Sequence, residues 1–262
     1  MRYFFMSDAH LGSLIIDQPE VHQAQVISWL EERTTDITEA GGGAIYLLGD
    51  IFDFWFEFAH SIPPGYEKIL NCIKKITDSG IEVHFFCGNH DQWTFGYLAN
   101  HCGMIVHRSG EKISLGDKTF YMAHGHGLGE KTFFTKLMNS IFESTLCRWL
   151  FRYLMPPRLG LWIGYKWSGS NKEKEEGKYK NRHIDYYTAH STDEESLQSK
   201  WSKTFSAANP DVNYIIMGHL HKEVNMMLPN GCQLVILDEF YTKFGYGEFD
   251  GDGVLLQNME VE

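Results

Sequence analysis

Short apolar runs punctuate the first half of the chain, and amphipathic stretches lie between them. Tyr3 to Met6, Ala44 to Leu48, Val83 to Cys87 and Thr119 to Ala123 are rich in aromatic and aliphatic residues and too short for helices, so they read as buried strands. The stretch "EVHQAQVISWLEER" predicts a helix with Val21, Ala24, Ile27 and Leu30 near one face and charges elsewhere. A second, "GYEKILNCIKKITDSG", groups Ile69, Ile73 and Ile76 and stops at Gly80, a C-cap signal. Strand character returns at Tyr214 to Met217, Gln233 to Leu237 and Gly253 to Gln257. Alternating strands and helices predict an α/β layered core.

From about Gly129 to Pro210 strand signals nearly vanish. "TFFTKLMNSIFESTLCRWLFRYLM" has the wide apolar face of a long helix and is stopped by Pro156 and Pro157. An aromatic and then basic-leaning stretch follows, and "STDEESLQSKWSKTFSAAN" opens with capping-box spacing from Ser191 to Glu194. Residues 130–209 are expected to form a helical insertion, and 1–129 with 210–262 the core that carries it.

Composition narrows the class. At 262 residues with 43% hydrophobic and 22% charged, the chain has the make-up of an ordinary globular protein. A net charge of -11 argues against a general nucleic-acid binder, whose surface is usually basic. No run of about eighteen apolar residues predicts a membrane-spanning helix. The five cysteines are odd in number and scattered, which fits a reducing cytoplasm better than a disulfide framework.

The residues that follow the strands change the picture most. Asp8 and His10 come after the first, Asp50 after the second, Asn89, His90 and Asp91 after the third. His124 follows the fourth, and His219 and His221 follow Tyr214 to Met217. In open α/β sheets ligands bind beyond the carboxyl ends of the strands. Each Asp or His taken singly is ordinary turn chemistry. Five strand ends that all carry metal-capable residues point instead to a common site. Carboxylate, amide and imidazole together suit Mn, Fe, Zn or Co rather than Ca. Two such ions roughly 3.5 to 4 Å apart clamp a phosphoryl group, and water bound there loses a proton near neutral pH and attacks phosphorus.

The motifs "DAH", "GD", "GNHD", "HGH" and "GHLH", in this order, resemble the calcineurin-like metallophosphoesterases. The resemblance covers roughly residues 1 to 128 and 210 to 262. It implies a two-sheet β-sandwich flanked by helices, with two divalent ions, Mn2+ foremost, at the strand ends. Carried over to this chain, Asp8, His10 and His221 would hold one ion and Asn89, His124 and His219 the other, with Asp50 bridging. His90 would protonate the leaving group or steady the phosphate, and Asp91 would orient it.

A narrower resemblance rests on "GDIFDFWFE", the "AHGHGLG" context and the helical insertion before "GHLH". These are similar to UDP-2,3-diacylglucosamine diphosphatases of lipid A synthesis. That implies hydrolysis of a nucleotide-linked acylated sugar to UMP and an acylated sugar 1-phosphate, with the cap, residues 130–209, housing acyl chains. The apolar stretch Phe133 to Met155 and Trp162, Tyr165 and Trp167 suit that role. Substrate contacts are expected from Asn89, His90 and His219, and from Ser170, Asn171 and Lys174 in the cap. The basic stretch from Lys172 to Arg182 is either a solvated helix face or a contact for a diphosphate or for the inner face of the membrane.

Overall fold

The computed structural model describes residues 1–129, 144–164, 166 and 196–260. Two sheets face each other. The first runs β11-β10-β1-β2-β3-β4: β1 (Arg2–Met6), β2 (Gly43–Leu47), β3 (Glu82–Phe86) and β4 (Ile105–His107) are parallel, and β10 (Gly245–Phe249) joins β1 antiparallel and carries β11 (Val254–Asn258), also antiparallel, at the edge. The second runs β5-β6-β7-β9-β8, from β5 (Glu111–Leu115), β6 (Lys118–Met122), β7 (Tyr214–Met217), β8 (Val224–Met227) and β9 (Gln233–Ile236).

The central strands are apolar at consecutive positions because both faces are covered. Phe4 and Met6 of β1 and Ile45 and Leu47 of β2 turn toward α1 (Pro19–Glu39) and α2 (Glu67–Asp78). Phe5 and Tyr46 turn the other way and meet Phe120, Ile216 and Val235 between the sheets. Ile215, Met217, Leu234 and Ile236 form a third cluster on the outer face of the second sheet.

The face of α1 is rotated from the expected one. His22, Val26, Trp29, Leu30 and Ile37 are buried, whereas Val21 is 49% exposed. Trp29 decides this. Its ring lies 5.6 Å from that of Tyr246 and 5.9 Å from that of Phe240, a contact area that Val21 and Ala24 cannot match. The predicted face of α2 is the buried one: Ile69, Ile73 and Ile76 with Leu70 and Cys72.

The short helices α3 (Tyr97–Cys102) and α6 (Phe240–Lys243), and strands β4, β5, β8 and β10, had no clear pattern. All but β10 are short or edge elements, and β10, "GYGEF", an interior strand, is two-fifths glycine by sequence. Residues 197–208, grouped by sequence with the cap, form α5 (Leu197–Ala208), capped by Ser196 through the Ser199 N–H. This helix lies on the second sheet, with Trp201 and Phe205 against Tyr121. The Ser191 capping position and the part of the apolar stretch from Phe133 to residue 143 lie outside the described residues, as do Tyr165 and Trp167. Of the remaining insertion, α4 (Thr145–Leu154) rests on the core through Phe151, whose ring is 4.7 Å from Phe56 and 5.1 Å from Trp93.

Candidate metal centre

Both sheets deliver their strand ends to one place. Asp8 and His10 follow β1, Asp50 follows β2, Asn89 and His90 follow β3, His124 follows β6, and His219 and His221 follow β7. Among the described residues, six non-glycine positions have positive φ, and five of them are here: Asp8 (52°), His10 (44°), Asp50 (52°), His219 (72°) and His221 (50°). Left-handed backbone at non-glycine residues is costly and concentrates at functional sites. The turns also demand bare backbone. A Cβ on Gly88 would collide with the Asp50 carboxylate and amide, and one on Gly218 with Ser7 Oγ and Asp8 Oδ2.

Among the described residues three groups could each hold a cation, one of them, His10, Asp53 and His90, sharing His10 with the first of the two clusters that follow. The first is Asp8, His10 and His221, and the second is Asp50, His124 and His219. In the first, His221 Nε2 lies 3.2 Å from Asp8 Oδ1 and 3.3 Å from His10 Nε2. In the second, His124 Nε2 lies 3.2 Å from both Asp50 Oδ2 and Asn89 Oδ1. The His219 backbone N–H donates to Asp8 Oδ2 at 2.9 Å, which ties the clusters together.

The donor set fits divalent cations. His124 Nδ1 donates to the Leu48 carbonyl at 2.8 Å, so the neutral ring turns a lone pair toward two oxygens that are themselves electron-pair donors. Without a cation only a proton can sit there. Burial opposes that proton, yet the Asp50 charge raises His124 to about 10. Burial likewise opposes ionisation of Asp8 and Asp50. The surrounding histidines together outweigh it, His221 foremost for Asp8 and His124 foremost for Asp50, and both carboxyls are held well below their ordinary range. Burial, then the charge of His124, pushes His219 down to about 3. Anionic carboxylates and a neutral imidazole are the forms that ligate metal.

Asp91 stands in a different place from the one expected. Its carboxylate accepts from the backbone N–H groups of Gly88 (2.7 Å), Ile51 (2.8 Å), Asp50 (3.2 Å) and Phe52 (3.3 Å). It therefore braces the loops that carry Asp50 and Asn89. Burial and then Asp50 push its own carboxyl up to about 7 against those bonds. The His90 ring is held instead by the Asp53 carbonyl, which accepts from Nδ1 at 2.8 Å.

Asp53 is the residue that sequence reasoning missed. Its Oδ1 lies 3.2 Å from His10 Nδ1, close enough to support that ring were it to hold a cation. The signal was present in "GDIFDF", where Asp53 follows Asp50 by three positions. His22 was also missed. Its Nε2 donates to the carbonyl of Ala9, between Asp8 and His10, at 2.7 Å. Tyr241 of α6 stands with its ring 5.6 Å from both His10 and His221. His126 is pushed down to about 4 by burial and then by His124, and its buried Nδ1 has no hydrogen-bond partner. Ser170, Asn171 and Lys174 lie outside the described residues.

Carboxylates and imidazoles clustered at the strand ends of a two-sheet sandwich define a metal-dependent hydrolase. The chain belongs to the calcineurin-like phosphoesterase family, whose sequence profile matches residues 1–223. It is a metal-dependent phosphoesterase. A Porphyromonas gingivalis protein named UDP-2,3-diacylglucosamine hydrolase is 32% identical over 99% of this chain and 98% of its own length. A protein of the same name from Shewanella baltica is 23% identical over 100% of this chain and 99% of its own. A solved dimetal phosphatase from Danio rerio aligns over 98% of this chain and 95% of its own with a TM-score of 0.45 and 13% identity, too distant to add to the assignment.

Proposed function

We propose that this phosphoesterase hydrolyses the diphosphate of UDP-2,3-diacylglucosamine to UMP and the acylated sugar 1-phosphate, at a centre of two divalent cations. The observation that carries the substrate is the full-length likeness to the P. gingivalis hydrolase, cap region included. In this reading Asp8, His10 and His221 hold one cation and Asn89, His124 and His219 the other, with Asp50 shared. Mn2+ is the first choice, and Fe, Zn or Co is compatible with the same donors. Bound cations would neutralise the phosphoryl oxygens and acidify a water to near neutral pH.

The protein's own groups do the rest. Leu48 and Asp53 fix which nitrogen of His124 and His10 turns inward. His90, held at Nδ1 by the Asp53 carbonyl, would pass a proton from Nε2 of its imidazolium form to the departing oxygen and be left as the neutral Nδ1–H ring. Asn89, His90 and His219 would contact the substrate phosphate, and Ser170, Asn171 and Lys174 the sugar side.

The cap supports an acyl-chain role. Leu146, Trp149, Tyr153 and Leu154 of α4, and Trp162 beyond it, are each more than half exposed, a large apolar area for one short segment. Such a surface suits acyl chains taken up from the cytoplasmic face of a membrane. Among the described residues no helix is long and apolar enough to cross one. Because α5 lies on the second sheet, the cap in this reading ends before Leu197.

The test compares kcat/KM for UDP-2,3-diacylglucosamine and UDP-N-acetylglucosamine with Mn-loaded protein. Each buried methylene is worth about 0.8 kcal/mol, and remote binding energy can be spent at the reacting phosphate, so the acylated substrate should win by orders of magnitude. Equal rates would remove the acyl-chain reading and leave a phosphoesterase acting on a soluble ester.

A further inference from the structure

One strand out from the metal centre, the same rim of the first sheet carries a group of arginines that the hydrolytic reading does not use. Arg108 follows β4, the neighbour of β3 in the sheet order. Its Nη2 donates to the Thr94 carbonyl at 2.6 Å, and Nη2 of Arg148, on α4, donates to the same oxygen at 2.8 Å. Arg148 and Arg152 are one helical turn apart. Their guanidinium carbons lie 4.9 and 4.5 Å from the centre of the Phe95 ring. Three cations thus crowd around one carbonyl and one ring.

Among the described residues no carboxylate forms a salt bridge with Arg108, Arg148 or Arg152. The Nε atoms of Arg148 and Arg152 are buried and have no hydrogen-bond partner. Burial and then Arg108 lower the pKa of Arg148, and Cys87 and then Glu57 oppose that shift without reversing it. The Glu57 oxygens are already committed to the N–H groups of Phe95, Tyr97 and Leu98 and to the Trp55 indole. Partly buried guanidinium groups that keep open donors and repel one another are completed by an oxyanion. The planar fork of arginine matches a phosphoryl group in particular.

We infer that Arg108, Arg148 and Arg152 form a phosphoryl-binding site, separate from the metal ligands, at the junction of α4 with the core. Its ligand is the phosphate of a soluble ester or of a lipid headgroup, since both present the same oxygens to the three forks. The site shares no residue with the metal clusters, so it does not depend on the substrate proposed above.

The experiment titrates full-length, metal-loaded protein with inorganic phosphate by calorimetry and compares it with the Arg108→Gln/Arg152→Gln double variant. The wild type should show binding in addition to that of the metal centre. The variant should lose this component, about tenfold or more in affinity. In phosphate-free buffer the variant should melt no lower than the wild type, because it loses one backbone bond but also relieves like-charge crowding. Co-sedimentation with phosphatidylglycerol vesicles, absent with phosphatidylcholine and lost in the variant, would identify a lipid headgroup. Failure to co-sediment, with the phosphate component intact, would identify a soluble ester. Equal phosphate binding by wild type and variant would overturn the proposal. So would a variant that melts lower in phosphate-free buffer and shows no phosphate-specific loss beyond that.

Discussion

Replacing Asp91 with Ala separates two roles that the motif "GNHD" leaves open, namely orienting His90 and bracing the loops. The carboxylate holds four buried N–H groups, two of them at 2.7 and 2.8 Å and two beyond 3.1 Å. Hydrogen bonds to a charged acceptor contribute about 1.5–3 kcal/mol each, so the two short ones alone come to about 3–6 kcal/mol. Removing a buried anion beside Asp50 gives part of this back, which leaves a net loss of about 2–4 kcal/mol. In a chain of this size that lowers the melting temperature by roughly 5–15 °C. Two of the freed amides belong to Asp50 and Gly88, so cation affinity should fall as well. The assay is thermal unfolding with and without Mn, with metal counted per chain, next to His90→Ala. The His90 variant should melt normally, keep its metal and lose about 10²–10⁴ in kcat. An Asp91→Ala protein that melts like wild type, keeps full metal and loses only kcat would refute the brace.

Three further outcomes are expected. Asp50→Ala should reduce bound Mn from near two ions per chain to near none by elemental analysis, since the proposed function has both ions share it, and two retained ions would rule out the bridge. Asp53→Ala should weaken cation binding about 10- to 100-fold in a chelator competition, as loss of the support behind a ligand histidine usually does, and unchanged affinity would make its contact with His10 incidental. Burial, partly offset by its bond to Ala9, lowers the pKa of His22 below its ordinary 6.5. Below about pH 6.5 the unfolded chain therefore takes up a proton that the folded chain refuses, and stability falls as pH drops. His22→Gln should flatten that slope in pH-dependent unfolding, and an unchanged slope would exclude His22 as its source.

The strand ends were legible in the chain because buried parallel strands cannot hide their composition. Both faces are covered, so Phe4, Phe5 and Met6, or Ile215, Ile216 and Met217, are apolar at consecutive positions, and the first polar residue afterwards marks the strand's end. The metal-capable residues follow directly, which made Asp8, His10, Asp50, Asn89, His124, His219 and His221 readable before any coordinates. Edge elements such as β5, "EKISL", left weaker traces, because a half-exposed strand tolerates charge.

Local sequence by itself thus determined which residues stand at the strand ends and which chemistry they carry, because both depend on neighbours one or two positions away. Only the tertiary structure decided how the supports are shared. Asp91 lies next to His90 in the chain, but three of the four backbone N–H groups that hold its carboxylate lie about 40 positions earlier, and the His90 ring goes to the Asp53 carbonyl. The same holds for the face of α1, turned by Trp29 toward Phe240 and Tyr246 from the far end of the chain, and for α5, drawn onto the second sheet by Tyr121. Hydrogen-bond partners and packing surfaces are chosen by proximity in space, and distant segments compete for them. No window of sequence contains the competitors.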